Sequence, residues 1–523
     1  MRPETQTLAS VPEAMRHLAE RYGDLIALQD EGSSYTFREL DAQTNRLAVG
    51  LRKLDVAAGD VVLWAAPSCA AFIITYLATA KANLRFIPMN IRLSEAEMSR
   101  VIELVKPKIV ICAQEYRDVL HAIFPNDGSV SRFVIDAEGD DFGFRDARTL
   151  VAADEGSPCD FGVSGETPHE ILLTSGTTGE VKAVERLQCS RIAESFAAIA
   201  SWPAGVRMHQ LRMTPQFHMG GITGPYQILL SGGTVTVGKF SVEMAAKGIA
   251  AGANFLAGVP SQYALLIESG LLAHGSTDGV LVCSTGGSGS SVEEIKRLQA
   301  AFPRAHLLQV YGSTEAGLIS MSSGSDFTDH LSSVGRPLRG VEIRIVDADG
   351  QQVPRGSVGE VQVRSPFLMD RYFGRPDLTA AAFTNDGFFQ MGDLARQDDE
   401  GRLTIVGRSK EVIISGGENV YPKEVEDVLL QVDGVTGAAV IAQKHPILQE
   451  MLTAVICAAI ASDAADMERL GARAADFVRR NLAGYKVPRE IYLAKTIPRN
   501  SLGKIQRGEL VGLLPSLTKI YSR

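Results

Sequence analysis

The sequence is short of the features that would place it in several large protein classes. Its 523 residues include only six cysteines, Cys69, Cys112, Cys159, Cys189, Cys283 and Cys457, with no Cys-x-x-Cys pair. Such scatter excludes a disulfide framework or zinc ribbon as the organising device and fits reduced, mostly buried thiols. Positive charge is not in excess: 52 Lys plus Arg against 61 Asp plus Glu give a net charge of −9. A globally basic nucleic-acid surface is therefore not expected. An anionic ligand is still compatible with this balance if a local cluster of N–H groups and cations holds it. No export signal can be drawn, because Arg2, Glu4, Glu13, Arg16, Glu20, Arg21 and Asp24 interrupt the N-terminal segment. The most apolar windows, 70–80 and 454–460, fall short of the ~18 uninterrupted apolar residues of a membrane span. The expectation is a cytoplasmic protein with no integral membrane span and no nucleic-acid partner.

What is present is length and apolar side chains. At ~150 residues per domain the chain suffices for about three domain-sized units, and a 45% hydrophobic share can fill large cores. Up to about residue 350, β-rich runs alternate with helical stretches, the pattern of parallel sheets covered by helices. Thr36 and Glu39 form a capping box that opens a helix to about Leu54. An apolar run over 61–66 and a second helix over 70–82 follow. Segments 108–113, 132–136 and 233–237 read as strands. From Val341 the texture changes to alternating strands punctuated by Asp349-Gly350, Asp386-Gly387 and Glu400-Gly401, which suggests an antiparallel barrel or sheet layer. After Arg408 comes a compact α+β unit: a hairpin, a helix from Pro422, strands over 437–442 and 453–460, a helix over 464–482 and a strand over 490–493. The junction falls near 409–411, which divides the chain into 1–409 and 410–523.

Several loops have the composition for chemistry. A short strand over 170–173 runs into Thr174, Ser175, Gly176, Thr177, Thr178 and Gly179, with Lys182 close behind. Glycines let successive N–H groups point into one concavity, hydroxyls add donors and the lysine adds a mobile charge, a set suited to a triphosphate. The spacing is not that of the P-loop, and a solvated Ser/Gly/Thr loop has the same composition. A second glycine-rich turn, Thr285 to Ser291, follows a strand and precedes a helix opened by a Ser291/Glu294 capping box. It lacks the third glycine of the dinucleotide fingerprint, which has Val292 in its place, so a nicotinamide or flavin role is disfavoured. A third apolar run leads into Tyr311, Gly312, Ser313, Thr314 and Glu315. A glutamate just past a strand can hold Mg²⁺ beside phosphate oxygens, and a tyrosine ring can stack on a base. Asp393 after Gly392 could accept from both ribose hydroxyls or simply close a turn. Near the C-terminal end, Lys504 follows Gly503 at the tip of a turn, where a solvent-facing cation is the alternative.

Taken in this order over 174–504, with the run Gly407, Arg408, Lys410, Gly416, Gly417 between, these segments resemble the adenylate-forming superfamily of acyl- and aryl-CoA synthetases, nonribosomal adenylation domains and beetle luciferases. The resemblance implies a large N-terminal adenylation domain (1–409) and a small mobile C-terminal domain (410–523) that turns about a hinge at Lys410. It implies that the 174–182 loop handles the β- and γ-phosphates, with Thr177 and Glu315 near Mg²⁺. Gly286, Gly287 and Tyr311 would border adenine, Thr314 would meet the α-phosphate, and Asp393 and Arg408 would hold the ribose. Lys504 would bridge the carboxylate and the α-phosphate, while Gly416 and Gly417 would leave a passage for coenzyme A. The implied substrates are ATP with Mg²⁺, a carboxylic acid and coenzyme A, and the products of the first half are an acyl-adenylate and pyrophosphate. Val181, Ala183, Met391 and Lys410 depart from the commonest family pattern without removing a charged group.

The acyl pocket implied by the resemblance is bordered by Phe217, His218, Gly221 and Ser284. No Asp or Glu occurs over 211–224 to pair a substrate ammonium, so α-amino acids are disfavoured. An apolar aliphatic or aromatic monocarboxylic acid is expected. Coenzyme A is the expected acceptor and a separate acyl carrier protein the alternative; luciferase-like oxygenation and a silent nucleotide binder are the other classes kept open. A homodimer is one option for the assembly.

Overall fold

The computed structural model describes residues 10–124, 128–135, 143–152, 156–175, 181–202, 206–272, 276–287, 290, 292–415, 418–446, 448–458, 464–500 and 504–523. Local signals set many of the element ends. The Thr36 hydroxyl accepts from the Glu39 N–H at 3.2 Å and the Glu39 carboxylate accepts from the Thr36 N–H at 2.8 Å, starting the helix Phe37–Arg52. The strand Val61–Ala65 and the helix Ala70–Lys81 follow as read from the sequence. So do Ile109–Ala113, Ser131–Ile135 and Thr234–Thr236. The Ser291/Glu294 cap lies outside the described residues, although the helix Val292–Ala301 is there.

Two large sheets dominate the first 340 residues. An eight-stranded sheet has a parallel centre of Arg85–Pro88, Val61–Ala65, Ile109–Ala113 and Ser131–Ile135, extended by the antiparallel hairpin Pro168–Ser175 and Val181–Leu187. A nine-stranded sheet has the parallel run His306–Ser313, Val282–Thr285, Phe255–Gly258, His209–Arg212, Thr234–Thr236 and Ile26–Gln29. The helices Ala70–Lys81 and Met219–Leu230 are apolar nearly all round, the signature of helices buried on every side. One hydrophobic core joins them to both sheets, through Trp64 and Phe86 on one and Phe255, Val282 and Leu308 on the other. The alternating segment after Val341 forms a four-stranded antiparallel sheet, Glu342–Val346, Gly359–Arg364, Phe389–Gln397 and Leu403–Arg408.

The last unit has a six-stranded sheet of its own, with the helices Pro422–Leu429, Ala464–Asn481 and Arg507–Leu513. One of its hydrophobic clusters is made only of residues from Ile413 to Ile520. Its final helix and the strand Thr518–Ser522 were not anticipated from the sequence; both are short and weakly periodic. The 3₁₀ turn Ser409–Glu411 joins this unit to the preceding strand. No described helix is long and apolar enough to cross a membrane.

Candidate active site

The site is assembled where the C-terminal ends of the strands meet the last unit. In the first hairpin Thr174 pairs with Lys182 and Ser175 with Val181. Gly176, Thr177, Thr178 and Gly179 lie outside the described residues. Lys182 sends its ammonium over the Tyr372 ring, 4.9 Å from the centroid. The Tyr372 hydroxyl donates to Glu315 Oε1 at 3.1 Å. The hairpin lysine and the glutamate after the third run are thereby brought together by a tyrosine that the sequence did not single out.

The turn 314–316 links the strands His306–Ser313 and Gly317–Ser323, and it is held from beneath. A Cβ on Gly312 would lie 2.0 Å from the Gly317 carbonyl oxygen, so only glycine permits the two strands to approach this closely. Below them, Glu170, Arg186, Arg191 and Glu194 form a fully buried quartet of two cations and two carboxylates. Glu194 Oε1 accepts from the Leu318 N–H at 2.7 Å, and Arg186 donates to the Thr314 carbonyl at 3.4 Å and the Phe367 carbonyl at 2.6 Å. Burial opposes ionisation of Glu170, but Arg191 and Arg186 overcome it and hold its pKa below the ordinary value. The loop is thus fixed to a charge network rather than to apolar packing alone.

Asp393 and Arg408 face each other as register partners in the antiparallel layer, with Arg408 Nε 3.0 Å from Asp393 Oδ1. The other carboxylate oxygen accepts from the Tyr311 hydroxyl at 2.7 Å. Burial and then Asp393 push the Tyr311 phenol well up, so it stays a neutral donor. Gly286 closes against Val310: a Cβ there would come within 2.5 Å of Val310 Cγ2. Gly287 takes φ +82°.

Lys504 enters from the last unit. Its turn is pinned at both ends by Asn500, whose Oδ1 accepts from the Lys504 N–H at 3.0 Å and whose N–H donates to the Lys504 carbonyl at 2.8 Å. As a residue Lys504 is exposed at the mouth of the cleft. Its ammonium nevertheless lies deep enough that burial pushes its pKa down; Arg408 adds to this, while Asp393, Glu315 and Glu411 pull it back up. Lys504, Arg408, Asp393 and Glu315, read from four separate segments, therefore share one electrostatic environment. Lys410 sits exposed in the connecting turn, and Gly416 and Gly417 lie outside the described residues.

His218 precedes the helix Met219–Leu230 as its N-cap residue. Its imidazole is held down to about 4 by burial, then by Arg92 and Lys504, and is neutral at pH 7. Phe217 packs its ring 4.5 Å from the His218 ring, and the Arg92 guanidinium lies 6.0 Å from the Phe217 centroid. Gln216 ties this segment to the 68–69 loop, accepting from the Cys69 N–H at 2.8 Å. Gly221 is packed so that a Cβ would meet the Pro215 carbonyl at 2.1 Å. Ser284 offers its carbonyl to the Tyr263 hydroxyl at 2.9 Å. Arg92 and Tyr372 escaped the reading of the sequence because neither stands in a motif. Among the described residues no grouping of three or more His, Cys, Asp and Glu could hold a metal ion.

Comparison with known proteins identifies the family. Residues 15–373 match the AMP-binding enzyme family, and residues 424–504 match the AMP-binding enzyme C-terminal domain. The chain belongs to this family of adenylate-forming enzymes. A feruloyl-CoA synthase of an Amycolatopsis species is 29% identical over 92% of this chain and 95% of its own. ATP-bound MatB of Rhodopseudomonas palustris superposes with a TM-score of 0.86 at 27% identity, covering 96% of this chain and 98% of that one. The o-succinylbenzoate CoA synthetase MenE of Bacillus subtilis, in complex with its acyl-adenylate, superposes with a TM-score of 0.82 at 25% identity, covering 96% and 98%.

Proposed function

We infer that this enzyme is an ATP-dependent, AMP-forming carboxylic acid:CoA ligase acting on an acid with an aliphatic or aromatic body. The acid attacks the α-phosphorus of ATP to give an acyl-adenylate and pyrophosphate, and the thiol of coenzyme A then displaces AMP. The observation that carries this reading is the convergence of Lys504 with Asp393, Arg408 and Glu315 in one cleft, beside a neutral His218.

The first step brings a carboxylate up to a polyanion, so the residues must offset charge where it crowds. Lys504 supplies a positioned ammonium between the incoming carboxylate and the α-phosphate. Asp393 accepts from the ribose hydroxyls, oriented by Tyr311 and Arg408, while Gly286 and Gly287 leave room for the adenine face. Thr314 donates to the α-phosphate, and the loop from Thr174 to Gly179 with Lys182 holds the outer phosphates. Glu315 and Thr177 would hold Mg²⁺. A single carboxylate suits an ion that keeps most of its shell as water and phosphate oxygens, and bound there it neutralises the triphosphate. Phe217, His218, Gly221 and Ser284 border the acid.

For the second step the unit 410–523 turns about Lys410, withdraws Lys504 and brings Gly416 and Gly417 to the cleft as a passage for the pantetheine thiol. A screen of pyrophosphate release over aliphatic and aromatic acids, with and without coenzyme A, tests the reading. Acid-dependent pyrophosphate together with coenzyme-A-dependent AMP release is expected; ATP binding without either product would refute it.

A further inference from the structure

The Arg212 side chain carries a charge that the protein leaves uncompensated. It ends the strand His209–Arg212, and its Nε is cut off from solvent with no hydrogen-bond partner. Among the described residues no carboxylate pairs with it, and burial pushes its pKa down to about 10 with only the Tyr263 phenol acting against that shift. Arg186 and Arg191 are fully buried and each faces two carboxylates, whereas Arg212 is half-buried and faces none among the described residues. A guanidinium that serves the fold is paired when it is buried, because an unpaired one costs stability.

The surroundings of this guanidinium place it against the acid-binding side. The helix Met219–Leu230, capped by His218, passes over it with two glycines. A Cβ on Gly220 would come within 2.9 Å of Arg212 Nη2, and one on Gly224 within 2.4 Å of Nη1. The helix has thus been thinned where the guanidinium lies. Gln210, two residues earlier on the same face of the strand, points its Oε1 toward Gly224 and that oxygen also lacks a partner. Across the sheet, Arg212 is in register with Ala257 and Ala257 with Ser284, so Arg212 and Ser284 share one row. From His218, which feels the charge of Lys504, to Gly224 the helix rises about 9 Å. One end of this path meets the reacting carboxylate and the other meets an unanswered cation.

We propose that Arg212 is a specificity-determining residue that receives a hydrogen-bond-accepting oxygen at the far end of the acid, best a second carboxylate, across an apolar body. The proposal rests on the ligase reading above and narrows its acid from an apolar chain to one with a polar terminus. A carboxylate there would supply the missing counter-charge and take up guanidinium N–H groups, whereas a methyl terminus would displace water from them without replacing its hydrogen bonds.

The test compares wild type, Arg212→Met and Arg212→Lys on matched acids of equal length ending in carboxylate, ketone or methyl. Pyrophosphate release is measured, and binding is followed by calorimetry in the presence of a nonhydrolysable ATP analogue. Wild type should favour the carboxylate-ended acid over its methyl-ended partner by on the order of 10²-fold in kcat/KM. Arg212→Met should abolish that preference, chiefly through KM, while turning over the methyl-ended acid at least as well as wild type. Arg212→Lys should keep part of the preference. A ketone preferred over a carboxylate would overturn the anionic assignment. Removing an uncompensated charge should also raise the melting temperature of Arg212→Met by a few degrees, whereas loss of a structural arginine would lower it. Equal use of methyl-ended and carboxylate-ended acids by wild type, with selectivity unmoved in Arg212→Met, would refute the proposal and leave the ligase reading intact. Arg212-dependent binding of the dicarboxylic acid with no pyrophosphate from any acid would do the reverse.

Discussion

Replacing Lys504 with alanine should separate the two half-reactions. The ammonium shares its electrostatic surroundings with Asp393, Arg408 and Glu315, and its turn is pinned by Asn500. Losing one preorganised charge at the point where anionic oxygens crowd commonly costs about 10²- to 10³-fold in rate, or ~3–4 kcal/mol of transition-state stabilisation. That loss should fall on adenylate formation, followed as acid-dependent pyrophosphate release. Thioester formation from chemically prepared acyl-AMP should stay within severalfold of wild type, since the proposed mechanism gives the lysine no part in attack by the thiol. The pH dependence supplies an independent check. Burial lowers the Lys504 pKa, so the free enzyme should lose adenylation activity on the alkaline side below the 10.5 of an ordinary lysine. In Lys504→Arg, whatever activity remains should lack this limb, because a guanidinium stays charged. Equal loss of both half-reactions in Lys504→Ala, or an unchanged alkaline limb in Lys504→Arg, would refute the assignment.

Asp393→Asn should weaken AMP binding by about 10- to 100-fold by calorimetry, because the charge-assisted acceptor fixed by Tyr311 and Arg408 is lost; Tyr311→Phe should do less, removing only the orienting hydrogen bond. Glu194→Gln should destabilise the fold by about 3–5 kcal/mol in denaturant titrations, since it leaves Arg186 and Arg191 with Glu170 alone; a loss under 1 kcal/mol would contradict the charge accounting. His169 is buried, donates its Nε2–H to the Tyr76 carbonyl at 2.9 Å, and is pushed down to about 4 by burial. Its folded pKa lies below the unfolded 6.5, so its contribution of about 3 kcal/mol is complete above pH 6.5 and is lost as pH falls toward 4. His169→Gln should flatten stability across that window, as measured by urea unfolding at several pH values.

The large-scale organisation was legible in linear order because it depends on short-range rules. Thr36 and Glu39 cap each other three residues apart, and the helix Ala70–Lys81 is apolar all round because both of its sides are covered. Runs of β-branched residues between helices specify strands that other elements bury. The final helix and strand were missed because seven and five residues carry too little periodicity to stand out. Within the candidate site, Tyr311, Asp393, Arg408, Glu315 and Lys504 each stand in a motif, and folding brings Tyr311 and Arg408 onto Asp393. Arg92, Tyr372 and Arg212 stand in none, since nothing near them in the chain marks them and their roles come from what packs beside them.

The amino-acid order by itself determined which groups are available: a hydroxyl- and glycine-rich tip, a carboxylate after a strand, a lysine on a late turn, and an acyl segment free of acids. Tertiary structure decided which of them meet. Lys504 and Glu315 are 189 positions apart in the chain yet act on one another's charge, because the last unit docks over the strand ends. It also decided which charges are answered. Coulomb attraction and desolvation depend on distance through space and on what excludes water, and neither is written in sequence separation. That is why Arg186, which faces two carboxylates, and Arg212, which faces none among the described residues, look alike in the sequence and differ only once the chain is folded.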